Sequence, residues 1–427
     1  MVHESAVVVF DDERAVANVG VMLPAVLAGR LGIEALVEQA VDLGDRPGAA
    51  HPGRKVMTML SAMALGADCI EDCDVLRAGQ TAAVLGHGVA APSTLGTFLR
   101  AFTFGHVRQL DRVLGETLGR AWAAGAGPGD GRLVVDVDSF VGEVHGYAKQ
   151  GAAFGYTHRR GYHPILATRA DTGEVLHIRL RKGSANSARG AVRFVDELVA
   201  RVGRAGACGE KLFRADSGFW NNAIFARLEQ ADWQYSIGVR MQPHIRDAIA
   251  EIPETDWQTL ADYPEGGEAQ IAQTMLGSQR LVVRRTRLVG EQAELFPDWR
   301  HFAFITNRTE PMHHVDSEHR QHAQIELVIR DLKDQALAHF PSGQFHANAA
   351  WTVIAALAHN LLRWTEVLGV PGRSIRAART LRRRLLTLPG RLTSHAGQWT
   401  LHLPARWPWQ QDFSEALARI RALPAAT

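Results

Sequence analysis

Long hydrophobic runs are missing from this chain, and no apolar stretch approaches the roughly 18 residues that suggest a membrane span. The opening residues, Met1-Val2-His3-Glu4-Ser5, lack the basic-then-apolar pattern of a secretory signal. Cysteine is scarce: Cys69, Cys73 and Cys208 are the only three in 427 residues. That excludes a disulfide framework and leads us to expect a cytoplasmic protein with no membrane partner. Cys69 and Cys73 are spaced for one helix face, but no second Cys or His pair lies nearby to complete a tetrahedral zinc site. They read as inert thiols. Internal repeats and low-complexity tracts are absent too.

What is present fits a globular protein of roughly two to three domains at about 150 residues each. Hydrophobic residues make up 46% and charged residues 22% of the chain, enough for a sizeable core. The net charge of +2 hides an uneven distribution. Residues 1–130 carry 10 Lys and Arg against 15 Asp and Glu, whereas residues 366–427 carry 10 Arg against 3 acids. A basic end of this kind is a footprint for phosphate backbones.

Apolar spacing predicts helices through most of residues 15–122. Two helices, around residues 74–85 and from Pro92, flank Gly86-His87-Gly88. That outline fits a helix-turn-helix DNA reader or an ordinary bundle. Residues 123–131 form a Gly-rich linker, and from Leu133 the pattern turns to strands. Strand runs at 133–141, 162–167 and 175–180 precede a helix from about Ser187 to Val202. A strand at 211–216, a short helix and a fifth strand at 235–239 follow. Three strands, helix, strand, helix, strand is the element order of a ribonuclease H-like α/β domain. We therefore expect a helical N-terminal domain over 1–122, a candidate for binding DNA ends. An RNase H-like catalytic domain over 132–365 follows, with a mainly β insertion at about 240–300. A basic C-terminal region covers 366–427.

Phosphoryl transfer needs oxygens that hold two divalent ions about 3.5–4 Å apart, and Mg²⁺ favours carboxylates. Asp138 lies on the first strand, Asp216 ends the fourth, and Glu326 sits in a late helix. In this element order the first and fourth strands are neighbours, which brings Asp138 and Asp216 together. At about 100° per residue, His319, His322, Glu326, Arg330 and Lys333 share one helix stripe, apart from the apolar Ile325, Val328, Ile329 and Leu332. A carboxylate among cationic groups suits a metal ligand beside phosphates; a solvated salt-bridge stripe would show the same spacing.

Asp138-Ser139 on a strand, Ala215-Asp216-Ser217-Gly218 after a strand, and the Glu326 helix resemble the bacterial insertion-sequence transposases of the DDE class. The resemblance is to the group with a Tyr-x2-Arg-x3-Glu-x6-Lys signature. Here that signature falls on His319, His322, Glu326 and Lys333, so Tyr and Arg are both replaced by His. Glu71 to Arg77, Ser93 to Leu95, Lys149 to Ala152 and His359 to Leu362 are also similar to that group, and the likeness spans roughly residues 20–400. It implies two Mg²⁺ ions (or Mn²⁺) on Asp138, Asp216 and Glu326. It also implies cutting at terminal inverted repeats, joining of 3′-hydroxyl ends to target DNA, a homodimer in a synaptic complex, and a place on the nucleoid. The family pattern puts the ligand directly before a small polar residue, which favours Asp138 over Asp136 and leaves Asp136 a supporting role.

Further DNA contacts are expected at His319, His322, Arg330 and Lys333. Trp220 is read either as a base-stacking group or as core. Arg280, Arg284, Arg285 and Arg287 form either a DNA clamp or one polar strand face. Residues 371–391 hold seven Arg and no acid, with Arg376, Arg379 and Arg383 expected on one helix face against DNA. The competing functions are another RNase H-like nuclease and a catalytically inactive DNA-binding descendant of a transposase.

Overall fold

The computed structural model describes residues 2–155, 158–186, 188–261, 263, 266–289, 298–372 and 376–426. The expected helix start at Ser187 and the basic residue Arg373 lie outside them. The chain forms two compact units, Gly127–Tyr147 with Gly151–Arg330, and Met1–Ala126 with Ala148–Gln150 and Asp331–Thr427.

In the first unit, runs rich in β-branched residues pair into one sheet. Its strands are β1 (Leu133–Ser139), β2 (Ile165–Arg169), β3 (Val175–Arg179), β4 (Lys211–Ala215), β5 (Gln234–Gly238), β6 (Gln258–Thr259), β7 (Gly267–Leu276), β8 (Gln279–Leu288) and β9 (Arg300–Thr306). Their order is β6-β7-β8-β9-β5-β4-β1-β2-β3. The central pairs β1–β4 and β4–β5 are parallel. Parallel neighbours need crossover connections, supplied by the helices Ala191–Ala205 and Asn222–Gln230. The first helix buries Phe194, Val195, Leu198 and Val202. The second is capped by the Asn221 side chain, which accepts from the Ala223 N–H at 2.8 Å. This mixed sheet, with β1 between β2 and β4, is the RNase H-like α/β arrangement expected from the element order.

The insertion does not stand apart as a separate β structure. After the helix Pro243–Ala250, its strands β6, β7 and β8 continue the same sheet through β9, which runs antiparallel to β5. Ile271, Val282 and Phe304 pack there with Met312 and Val315 of the helix Met312–Arg320. The insertion thus supports the segment that leads to Glu326. Its arginines are held within the protein. Arg280 donates to the carbonyl of Arg308 at 2.7 Å, and Arg284 lies 3.8 Å from Asp316. Arg285 grips Glu254 between the rings of Trp257 and Trp299, and Arg287 pairs with Glu268. Of the two readings, the polar strand face describes these four residues.

In the second unit, the helices Met22–Arg30, Pro52–Ala64, Pro92–Arg100 and Phe104–Ala121 surround the 25-residue helix Phe345–Gly369. That central helix is buried on nearly every side from Ala347 to Glu366. Composition placed it with the catalytic domain, but its apolar circumference is covered by the N-terminal helices. The strand Ala15–Val16 likewise pairs with Gly390–His395, joining the two ends of the chain in one unit. Leu95, Phe98 and Leu99 of the would-be recognition helix are buried in this unit. Burial, reinforced by nearby acids, pushes the Cys73 thiol up to about 12, and the half-buried Cys69 thiol is also raised. Inert thiols are what such values describe. Among the described residues, no single helix is long and apolar enough to cross a membrane.

Candidate active site

The parallel β1–β4 ladder pairs Asp136 with Arg214 and Val137 with Ala215. One residue further, where β4 ends, Asp138 and Asp216 stand side by side. Asp138 Oδ1 accepts from the Ser139 N–H at 2.6 Å. Asp216 caps the following turn, accepting from the Gly218 N–H at 3.0 Å. Asp216 is exposed and Asp138 is half-buried.

Burial pushes the Asp138 carboxyl up to about 6, and the negative charges of Asp216 and Glu326 push it the same way. The Ser139 N–H and His322 act in the opposite direction. Mutual repulsion of this kind operates over a short range. The charges of Asp216 and Glu326 thus both act on Asp138, although the three residues are far apart in sequence.

Directly behind them, alternation along the strands puts Asp136 and Arg214 on the same side as the two acids. Both are fully buried. Arg214 donates to both oxygens of Asp136, at 2.7 and 2.8 Å, and to the carbonyl of Glu318 at 2.5 Å. His322 Nδ1 reaches the same carboxylate at 3.1 Å. Asp136 is thus held through both oxygens, by Arg214 and by His322, behind the two acids. The Glu318 side chain pairs in turn with Arg132 at 3.0 Å and Arg308 at 2.7 Å. Arg214, Arg132 and Arg308 thus fasten the segment carrying Glu326 to the sheet. The sequence reading missed these three. The signal for Arg214 was present, since it sits two residues before Asp216 just as Asp136 sits two before Asp138.

The expected stripe on the Glu326 helix is broken. Met312–Arg320 and Ile325–Lys333 are α-helical, but Gln321–Gln324 winds as a 3₁₀ turn. A 3₁₀ turn advances about 120° per residue against about 100° in an α-helix, so four residues shift the phase by roughly 80°. His319 is thereby turned inward, with its ring stacked on Phe304 at 4.2 Å and its Nδ1 2.7 Å from Ser236 Oγ. Burial, with His322 and Arg214 nearby, pulls its pKa down to about 3. His319 is therefore a neutral packing residue, not a phosphate contact. His322 faces Asp136 with only 15% of its side chain exposed. Glu326, Arg330 and Lys333 remain exposed on one helix.

Trp220 follows the Ser217–Phe219 turn, half-buried, with its ring 5.9 Å from that of His244. The basic C-terminal trio does not share a helix face. Arg376 precedes the short helix Ala378–Leu381, and the next turn, Arg382–Leu386, is π-helical. Arg376 is bound to Glu366 at 3.1 Å and is 11% exposed, whereas Arg379 and Arg383 are exposed.

Asp138 and Asp216, at the same end of two neighbouring parallel strands, and Glu326, whose charge acts on Asp138, offer hard oxygen atoms. Such a set matches Mg²⁺ or Mn²⁺ better than a soft metal. A comparison with curated proteins found no match. Among solved structures, a piggyBac transposase in a synaptic complex with hairpin DNA aligns with a TM-score of 0.45 and 11% identity, over 88% of this chain and 77% of that one. The model of the family described as transposase DDE domain group 1 matches residues 1–425. The chain is a member of the DDE transposase family.

Proposed function

We propose that this transposase cuts DNA at the terminal inverted repeats of a bacterial insertion sequence and joins the freed 3′-hydroxyl ends to target DNA. What supports the reading is the match to the transposase DDE domain family over residues 1–425, with Asp138 and Asp216 on neighbouring parallel strands and the charge of Glu326 acting on Asp138. Asp138, Asp216 and Glu326 would hold two Mg²⁺ or Mn²⁺ ions. Such ions, when bound, activate the attacking oxygen and stabilise the leaving one. Asp138 and Asp216 orient the donor oxygens through their bonds to Ser139 and Gly218, and the Arg214–Asp136 pair fixes the spacing behind them. Arg330 and Lys333, exposed on the Glu326 helix, would meet phosphate oxygens. Because two ends must be brought together, the working form would be a homodimer on DNA.

The test is Mg²⁺-dependent cleavage and strand joining on the ends that flank the coding sequence. Wild type should do both. Asp216→Ala and Glu326→Ala should abolish both while binding the ends with nearly unchanged affinity. A wild-type protein that binds the ends but never cuts them is an inactive descendant, and one that cuts without joining is a nuclease.

A further inference from the structure

Beyond Ser139 the catalytic strand does not stop pairing. Asp138 and Ser139 pair with Leu166 and Ile165 in the β1–β2 ladder, and the Phe140 N–H donates to the Pro164 carbonyl at 3.1 Å. Gly142 and Glu143 then pair with Tyr162 and Gly161 in the same register. A third short strand, Ala153–Phe154, adds to the far side. The catalytic hairpin therefore projects past the carboxylates as a three-stranded flap. At about 3.3 Å per residue, Glu143 lies some 17 Å along the strand from Asp138.

The flap is tightly built at its base and bare at its surface. A Cβ on Gly161 would stand 2.3 Å from the Gly142 carbonyl oxygen, and one on Gly183 would stand 2.0 Å from that of Gly161. Only glycine permits backbones this close. Outside that base, the Tyr147 ring is 85% exposed and the Phe154 ring 60% exposed. Arg160 donates to the carbonyls of Gly146 and Tyr147, with its guanidinium 5.1 Å from the centre of the Tyr147 ring. His145 and His158 are exposed on the same flap, where Arg159 pairs with Glu143 at 2.8 Å and Arg160, among the described residues, faces no acid of the flap. Exposed rings beside cations suit one chemistry, an unstacked base on an aromatic face with its phosphate against a guanidinium.

We propose that this flap is a binding site for unpaired nucleotides, in which Tyr147 and Phe154 stack on bases displaced from the duplex beside the carboxylates. The proposal rests on the functional reading above and adds the state of the DNA that the site takes: a frayed or opened end, not a closed duplex.

The experiment measures binding of two oligonucleotides in Ca²⁺, one fully paired and one with three unpaired nucleotides carrying 2-aminopurine. Stacking contributes about 1–3 kcal/mol per base, or roughly 5- to 150-fold. Wild type should prefer the frayed end by about that factor and quench the 2-aminopurine. Tyr147→Ala/Phe154→Ala should lose the preference and the quenching while keeping its affinity for the paired duplex. Tyr147→Phe/Phe154→Tyr, which keeps both rings, should behave as wild type. Equal preference in wild type and the alanine variant would overturn the proposal, as would a change in molar mass on losing the rings, which would assign the surface to a second copy. Failure of the wild type to cleave in Mg²⁺ would instead count against the transposase reading, because the Ca²⁺ assay needs no cleavage.

Discussion

His322 Nδ1 lies 3.1 Å from Asp136 Oδ1, on a carboxylate already held through both oxygens by Arg214. This residue stands where the related signature has Arg. It links the Glu326 helix to the strand that carries Asp138. His322 also favours the ionised form of Asp138. A permanent cation there would do so more strongly. His322→Arg should therefore shift the pH midpoint of Mg²⁺-induced stabilisation downward relative to wild type. Thermal unfolding with and without Mg²⁺ from about pH 5 to 8 reads it, and an unmoved midpoint would separate His322 from Asp138.

The buried pair behind the site gives a second expectation. Removing one partner of a buried ion pair typically costs about 3–5 kcal/mol because the other charge is left without compensation. Arg214→Met should destabilise the protein by about that amount in urea unfolding. Arg214→Met/Asp136→Leu should recover most of the loss. If the double variant is no more stable than the single one, the pair is not the fastening described here.

The strand part of the site was legible in the sequence, whereas its helix part was not. Alternation along β1 and β4 and the ribonuclease H-like order were enough to bring Asp138 beside Asp216, because parallel register follows from strand order. The position of His319 depends on four residues winding as 3₁₀, and nothing in Gln321-His322-Ala323-Gln324 forbids a regular α-turn. The cause lies in tertiary structure: Ser236 and Phe304, distant in sequence, hold His319 inward. Arg376 escaped for a similar reason. Its partner Glu366 lies on a central helix whose neighbours come from the other end of the chain, so a local charge count sees only uncompensated arginines.

His319 makes an acid-side prediction. Its pKa is held near 3 in the folded protein, below the unfolded value of about 6.5. The neutral ring's contribution is therefore fully present above about pH 6.5 and is lost as pH falls toward 3. His319→Phe, which keeps the stacking on Phe304 and removes the proton site, should flatten the loss of stability between about pH 6.5 and 4. Parallel urea titrations across that range test it, and superimposable wild-type and variant slopes would show that His319 charges freely.

Asp138 behaves in the opposite sense. Its pKa is raised to about 6 in the folded protein, so without metal its ionised form opposes folding. That cost is absent below about pH 3.9 and complete above pH 6. Asp138→Asn should be more stable than wild type in EDTA at pH 7.5, by about 1–2 kcal/mol once solvent screening is allowed for. The difference should vanish near pH 4. Adding Mg²⁺ should stabilise wild type and leave Asp138→Asn nearly unchanged. A variant less stable than wild type in EDTA would mean that the carboxylates are not crowded.

The basic C-terminal segment separates into residues that hold the fold and residues that can meet DNA. Arg376 is bound to the buried Glu366, whose carboxyl is pushed up to about 7 by burial despite Arg363 and Arg376. Arg382 is also buried, donating to Gln335 at 3.0 Å. Arg379 and Arg383 are exposed. Each phosphate contact contributes a slope of about −0.9 to log K against log salt. Arg379→Gln/Arg383→Gln should then flatten the salt dependence of DNA binding by up to roughly 1.8, with equal weakening on every sequence. Arg376→Gln should act otherwise, lowering the melting temperature while leaving the salt slope unchanged in whatever protein stays folded. Fluorescence anisotropy from about 50 to 200 mM salt, beside thermal melts, distinguishes the two effects. A full slope in the Arg379/Arg383 variant would move this segment from DNA to a protein partner.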